Sequence, residues 1–491
     1  MSVLADLEPR EVFSYFEEIS RIPRGSGNIE QISNYLVKFA EERKLEVYQD
    51  ALKNVIMIKE ASEGYEDCEP VILQGHMDMV AVKTPECTLD LKKDGLTLRV
   101  DGDELSAEGT SLGGDDGIAV AYALALLDSH EIAHPRLEVV ITVDEEVGME
   151  GAQGIDLAML KGRNLINIDS EQEGIFTVGC AGGARVDLAL CGEAQTIAGD
   201  KWTVRIGGLK GGHSGVEIHK ERGNANQIAG RILRELTLKY PVCLVEIKGG
   251  EADNAIAREC RLDFLMPKNR AGFGAGAREE IESLLKRLAE EIGEELATRD
   301  PGFRMEWEMA GENACRVFTQ QDTVRAARIL VSLPGGVQAM SPDVPGLVET
   351  SLNMGVLNAQ AQSQAGLCVS FSVRSSVESA KRALIDKMQA IAELVGAECS
   401  VRGDYPGWKY RVDSPLRDKM TTLYRKMYQK DPKVVAIHAG LECGLFMNKL
   451  DNLDCVSIGP DMKNIHTTEE TLSISSVKRM WEYLKELLAI R

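Results

Sequence analysis

The 491-residue sequence predicts an α/β fold, a split domain interrupted by an inserted α+β domain. Three observations predict it. Short apolar strands alternate with helical stretches early in the chain. Those strands end in histidine or acidic residues, at the edge where open sheets bind ligands. The texture changes after Gly179-Cys180-Ala181-Gly182-Gly183 and returns to buried strands from about residue 401. Residues 1–183 and 401–491 are therefore expected to form one domain, and 184–400 the insert.

The elements follow in order. Residues 10–20 and 28–44 have the spacing of amphipathic helices, with Asn28 as an N-cap. Residues 45–50 and 54–59 alternate like paired strands. The apolar run from Val71 is a buried strand that ends in Gln74-Gly75-His76-Met77-Asp78. Residues 96–107 read as a hairpin around Asp101-Gly102. Residues 108–117 form a glycine-rich loop that opens a very apolar helix at 118–127. Buried strands at 136–143 and 164–168 end in Asp144-Glu145-Glu146 and Asp169-Ser170-Glu171. In the insert, strands are expected at 201–206, 242–248, 260–265, 304–309, 347–356 and 367–373, and helices at 224–237, 277–297 and 379–395. Buried strands return at 434–438 and 455–458, before a closing helix from Ser476.

Composition narrows the function. Hydrophobic residues make up 44% and charged residues 27%, as in ordinary globular proteins. The net charge of −21 leaves no basic excess to meet phosphates, which argues against nucleic-acid and anionic-membrane partners. The eleven cysteines show no CxxC spacing, which points to free thiols in a reducing compartment. The first nine residues lack the basic start and apolar core of a signal peptide. No run is long and apolar enough to span a bilayer. A cytoplasmic location is expected.

The chemistry lies at the strand ends. His76, Asp115 or Asp116, Glu145 or Glu146, and Asp169 are metal-ligand types, and His466 adds a fifth just before the last helix. Taken singly, each is what a core histidine or an acidic surface turn also supplies. Their repeated placement after apolar strands, where a charge is costly unless paired, points to metal. Imidazole with carboxylate suits zinc, and manganese or cobalt as well. Two metals need a bridging carboxylate, for which Asp115 in its glycine-rich turn is the candidate. Asp78 would fix the His76 tautomer. Glu145 and Glu146 cannot both aim the same way along a strand, so one should ligate and the other act as general base. A competing pattern, Gly109-Thr110-Ser111-Leu112-Gly113, matches the GxSxG nucleophile elbow of serine hydrolases but lacks the direct strand–Ser–helix context. His213 between glycines, Asn254, and Arg374 at a strand end are further polar candidates; Arg374 could take a carboxylate.

Taken together, seven motifs resemble the aminoacyl-histidine dipeptidases (Xaa-His dipeptidases, peptidase D) of the di-zinc aminoacylase/carboxypeptidase superfamily. They are Gln-Gly-His-Met-Asp-Met-Val, Thr-Ser-Leu-Gly-Gly-Asp-Asp-Gly, Asp-Glu-Glu-Val-Gly-Met-Glu-Gly-Ala, Asn-Ile-Asp-Ser-Glu, Gly-Gly-His-Ser-Gly, Ile-His-Ala-Gly-Leu-Glu-Cys-Gly and Ile-His-Thr-Thr-Glu-Glu. The resemblance runs over essentially the whole chain in motif order. It implies a split di-metal domain with a central mixed sheet flanked by helices, and an insert that serves as lid and homodimer surface. It implies one metal on His76, Asp115 and Asp169 and another on Asp115, Glu146 and His466. Asp78 would orient His76, and Glu145 would be the general base to metal-bound hydroxide. His213, Asn254 and Arg374 would contact substrate, with His213 reaching the partner subunit's site, and Glu442 would lie at the substrate's C-terminal side. A cis peptide is implied between Asp115 and Asp116. The implied activity is hydrolysis of small peptides, Xaa-His dipeptides, with two divalent ions, zinc first and manganese or cobalt next. A related amidohydrolase, acting on N-acyl-amino acids or tripeptides, and a non-catalytic metal-binding protein are the alternatives. The sequence departs from the usual Gly-Ala-Asp-Asn-Gly loop: Asp116 stands beside the bridging residue and adds a negative charge. The segment 268–276 is also expected to alter the lid.

Overall fold

The computed structural model describes residues 3–268, 276–361 and 366–491. The chain forms two units: Met1–Cys180 with Trp408–Ala436 and Leu441–Arg491, and Ala181–Gly407 with Ile437–Gly440.

The first unit is built on a mixed sheet of eight strands. Its central strand, Val71–His76, runs parallel to Leu137–Thr142 on one side and Asn164–Asn167 on the other. Asp454–Ser457 continues the parallel run beside Asn164–Asn167. Val55–Lys59 and Glu46–Gln49 extend the sheet antiparallel. Every residue of Val71–His76 and Leu137–Thr142 is buried, as in strands covered on both faces. Because these strands run parallel, their C-terminal ends share one edge. His76, the turn after Thr142 and Asp169 therefore arrive side by side.

The apolar helix is Gly114–Asp128, buried all round from Gly114 to Leu127. Its first turn is irregular: Asp115 and Asp116 leave helical dihedral angles, and the peptide bond between them is cis. The helix lies tight against the central strand because position 75 is glycine. A Cβ there would stand 2.5 Å from Asp116 Oδ2 and 2.6 Å from Ala119 Cβ. Two expectations shift. The second helix starts at Glu30 with Ile29 at its cap, while Asn28 Nδ2 donates to Lys92 O at 3.1 Å instead. The strand expected to be buried near 434 is Lys433–Ile437, an outer strand of the sheet with exposed and half-buried residues.

The second unit is built on a nine-stranded antiparallel sheet. Its order is Arg304–Phe318, Ala194–Gly207, Cys260–Pro267, Cys243–Gly249, Val348–Gln360, Gly366–Ser375, Gly182–Cys191 and Glu398–Tyr405, with Gly336–Met340 paired to Val348–Gln360. Apolar faces of helices Ala225–Lys239, Ala277–Leu296, Gln320–Ser332 and Glu378–Val395 join residues of this sheet in one core. A boundary at 401 would cut the strand Glu398–Tyr405, which is hydrogen-bonded to Gly182–Cys191. This unit therefore keeps those residues through Gly407, and it begins at Ala181. Of the segment 268–276, residues 269–275 lie outside the described residues.

Candidate metal centre

The edge of the first sheet gathers the expected side chains. His76 ends its strand, buried, with Nδ1 at 3.1 Å from Asp78 O and 3.3 Å from Asp78 Oδ1. Its Nε2 faces Asp115 Oδ1 at 3.2 Å and Asp169 Oδ1 at 3.7 Å. His466 Nε2 stands 3.1 Å from Asp115 Oδ2 and 2.8 Å from Glu146 Oε1. The two oxygens of Asp115 are thus divided between two imidazoles. Ligand atoms of Asp115, Glu146 and His466 lie within 4.8 Å of one another, as do those of His76, Glu145 and Glu146, and those of His76, Asp116 and Asp169.

Asp78 lies past the strand and holds the turn as well as the imidazole. Ser26 Oγ donates to its Oδ2 at 2.8 Å, and the backbone amides of Glu145 and Glu146 donate at 3.1 and 3.4 Å. Burial alone would raise the Asp78 carboxyl, but the bonds from His76, Ser26 and the Glu145 amide hold it below the usual range. Glu145 and Glu146 sit in a turn beyond the strand Leu137–Thr142, so strand alternation does not separate them, and a carboxylate oxygen of each lies within 4.8 Å of the other.

Asp116 lies under the centre. It is fully buried, and its Oδ2 accepts the His76 backbone N–H at 3.1 Å. Burial first, then Asp169, pushes its carboxyl well above the usual range. The negative charge expected of it is therefore driven toward the neutral acid.

The glycine-rich loop is held by two residues absent from the sequence reading. Glu470 accepts the backbone N–H groups of Leu112 (2.9 Å), Gly113 (3.0 Å), Gly114 (2.8 Å) and Asp115 (3.4 Å). Arg24, 2% exposed, donates to the carbonyls of Met77 (3.1 Å), Asp78 (3.3 Å) and Gly113 (2.5 Å). The same geometry disposes of the nucleophile elbow. Ser111 is buried, with Oγ donating to Val80 O at 2.7 Å and accepting Val82 N–H at 3.2 Å; it is part of the loop's framework.

Glu442 lies behind the cluster, beside Gln74 and Thr142. It is 0% exposed, and its Oε2 accepts from Gln74 Nε2 at 2.5 Å and Thr142 Oγ1 at 2.7 Å. Burial pushes its carboxyl up to about 8. Its Oε1 has no hydrogen-bond partner among the described residues.

His213, Asn254 and Arg374 belong to the second unit and form their own group. His213 lies on the short strand Gly212–His213, paired to Ala255–Ile256 next to Asn254. Its Nδ1 accepts amides from Gly215 (3.1 Å) and Val216 (3.2 Å). Burial first, then Arg374, lowers its pKa. Asn254 is exposed. Arg374 is 8% exposed and donates from Nη1 to Tyr405 Oη at 3.3 Å, while its Nε has no partner among the described residues. His438 joins this group unexpectedly, with Nε2 at 2.7 Å from Ser351 Oγ.

The first cluster fits metal. Burial alone would lower His76, yet Asp115, Asp169 and Asp78 raise it well above its ordinary value. Bonds to Asp115 and Glu146 push His466 up to about 10. Burial pushes Asp169 up to about 7, with Asp115 and Glu146 adding to it. Carboxylates outnumber the positive charge among them, so they hold protons on the imidazoles. Divalent ions held by these residues would meet the same demand in place of the protons.

Comparison with known proteins places these features. The model of peptidase family M20/M25/M40 matches residues 72–490. The chain is 35% identical over 491 residues to the cytosol non-specific dipeptidase of Escherichia coli K12, covering 99% of each protein. It matches the crystal structure of the aminoacylhistidine dipeptidase of Vibrio alginolyticus with a TM-score of 0.90 and 36% identity, over 100% of this chain and 98% of that one. The aminopeptidase PepT of Bacillus cereus shares the fold, with a TM-score of 0.56 and 15% identity over 98% of both chains.

Proposed function

The chain belongs to peptidase family M20/M25/M40, and from that premise we propose that it hydrolyses dipeptides at a pair of divalent metal ions. The observation that carries the two-metal reading is Asp115, which turns one oxygen to His76 and the other to His466. His76, Asp115 and Asp169 would hold one ion, and Asp115, Glu146 and His466 the other. Zinc is the first choice for these donors, then manganese or cobalt. When bound, the ions would polarise the scissile carbonyl and bring the pKa of a water near 7.

The chain's own residues supply the rest. Asp78 orients His76 through Nδ1. Glu145 takes the proton from the attacking water and passes it to the leaving amine. Desolvation raises its carboxyl well above the ordinary value, with His76 opposing and Asp169, Glu442 and Glu146 adding, which suits a group that must both accept and return a proton. His213 donates to the developing oxyanion from Nε2: with Nδ1 engaged by two amides, Nε2 carries its proton. Arg374 and Asn254 bind the substrate's polar ends. The second unit serves as lid and homodimer surface, and His213 acts in the partner subunit's site. C-terminal histidine is the favoured substrate class, supported by the name of the Vibrio relative. A cytoplasmic location is supported by the name of the Escherichia coli relative; no helix among the described residues is long and apolar enough to cross a membrane.

A dipeptide panel with and without C-terminal histidine, run after zinc or manganese loading and after chelation, tests the reading. We expect cleavage that chelation abolishes and metal restores, with kcat/KM highest for Xaa-His. Cleavage of no dipeptide by the loaded protein would sink the dipeptidase reading. Equal rates across the panel would sink only the histidine preference.

A further inference from the structure

The glycines of the motif Gly113-Gly114-Asp115-Asp116-Gly117 answer to two side chains far away in sequence. Gly113 has φ +66°, and a Cβ there would stand 2.5 Å from both Arg24 Nη2 and Met79 Sδ. A Cβ on Gly117 would fall on Arg24 Nη2, and one on Gly114 would stand 3.3 Å from Glu470 Oε1. The loop is bare on both sides so that Arg24 and Glu470 can lie flat against its backbone.

The two grip complementary groups. Glu470 collects four consecutive amides, from Leu112 to Asp115, the donors that the start of a helix leaves without partners. Arg24 collects carbonyls. One of its bonds goes to Gly113, and two go to Met77 and Asp78, the segment directly after His76. Asp78 O also meets His76 Nδ1. Arg24 therefore ties the backbone beside one expected ligand to the backbone beside the shared one. Glu470 does the same on the other side, because it lies four residues after His466, whose Nε2 faces Asp115 Oδ2.

We propose that Arg24 and Glu470 are the positioning pair of the metal centre: they fix the backbone of residues 112–115 so that Asp115 presents one oxygen to each half of the site. This rests on the two-metal reading above. Neither side chain is a ligand in it. Both act through the loop, and their effect falls on how tightly, and in what geometry, two ions are held.

The test is cobalt loading of the full chain, read by bound Co²⁺ per chain, by the visible absorption spectrum, and by kcat and KM separately. Wild type is compared with Glu470→Gln and Arg24→Lys, each checked for folding by circular dichroism. Glu470→Gln keeps the shape but can accept through one oxygen only. We expect one of the two Co²⁺ affinities to fall about 10–100-fold, the size usual for residues that support a ligand. The absorption spectrum should change, and kcat should fall with KM within about threefold. Arg24→Lys keeps the charge but cannot span three carbonyls, and should give a weaker version of the same pattern. Wild type binding two Co²⁺, with folded Glu470→Gln matching it in affinity and spectrum, would overturn the positioning role and leave the two-metal reading intact. Wild type binding fewer than two would overturn that reading and the pair's role with it. Should Glu470→Gln lose its folded signal, Arg24→Lys decides: an unchanged affinity and spectrum there overturns the proposal.

Discussion

The metal-ligand cluster of the first unit and the buried carboxylates of the second hold charge in opposite ways. In the second, buried carboxylates come with their own partners. Asp263, 1% exposed, sits between Lys201 Nζ at 3.0 Å and Arg261 Nη2 at 2.8 Å. Asp300 accepts two backbone amides, from Lys210 and Gly223, at 2.7 Å each. In the first unit, Asp78, Asp115, Asp116, Glu442 and Glu470 are all buried, and Arg24 is the buried cation beside them. Its bonds go to backbone carbonyls. A folded chain tolerates buried charge when it is paired. Asp263 and Asp300 meet that condition within the second unit, as Glu138 does with Arg136 in the first, whereas the cluster around Asp115 has more carboxylates than its own cations offset. Uncompensated charge, more than the number of acidic residues, marks where the chemistry lies.

The largest effect that would sharpen this contrast is kinetic. Glu145→Gln should lower kcat about 10²–10⁴-fold while metal content stays at two ions per chain. Metal lost along with activity would show Glu145 to be a ligand, not the base. Next, Asp263→Asn breaks a self-compensated site. It should cost about 1–3 kcal/mol in a urea melt and leave metal uptake unchanged; a change in metal uptake would break the contrast. The last effect is a slope. Burial first, and Arg374 next, push His438 down to about 3. An unfolded imidazole takes a proton near 6.5, so between about pH 6.5 and 3 the unfolded chain binds a proton that the folded one refuses. Stability should fall with falling pH in that window, by about 1.4 kcal/mol per pH unit from this group. Urea melts of His438→Asn should show a flatter profile; an unchanged slope would mean that His438 is not held neutral.

What could be read beforehand depended on locality. His76, the pair Glu145-Glu146 and Asp169 could be picked out because each follows an apolar run next to it in sequence, and Asp115 or Asp116 because a glycine-rich turn precedes an apolar helix there. His466 follows no such strand and stood out through its motif. Arg24 was not legible: nothing near it announces that its acceptors lie 53, 54 and 89 residues away. Glu470 is the second of two adjacent glutamates, and only the fold shows which of them turns inward. Strand alternation does not part Glu145 from Glu146, since both lie in a turn and reach the same cluster. In the fold, most strands of the first unit's sheet were legible from their apolar runs, but Ile175–Cys180 was not. Helices Gln320–Ser332 and Pro415–Tyr428 were not, because their apolar faces are narrow: only Leu416, Met420, Leu423 and Tyr424 of the latter are buried. The boundary near 401 was misplaced because Glu398–Tyr405 is mostly exposed and its membership is decided by hydrogen bonds to a distant strand.

The strand Asp454–Ser457 lies between Asn164–Asn167 and Ile175–Cys180, two strands made close together in the chain. The sheet therefore keeps a gap at its middle while the whole insert is synthesised. At about 5–20 residues per second, the missing strand emerges roughly tens of seconds after its neighbours. His466 and Glu470 come later still. A growing chain thus carries most of the acidic residues of the site before it has the histidine that completes the second half. Closure of that sheet, and of the cluster at its edge, waits on residues made after the insert.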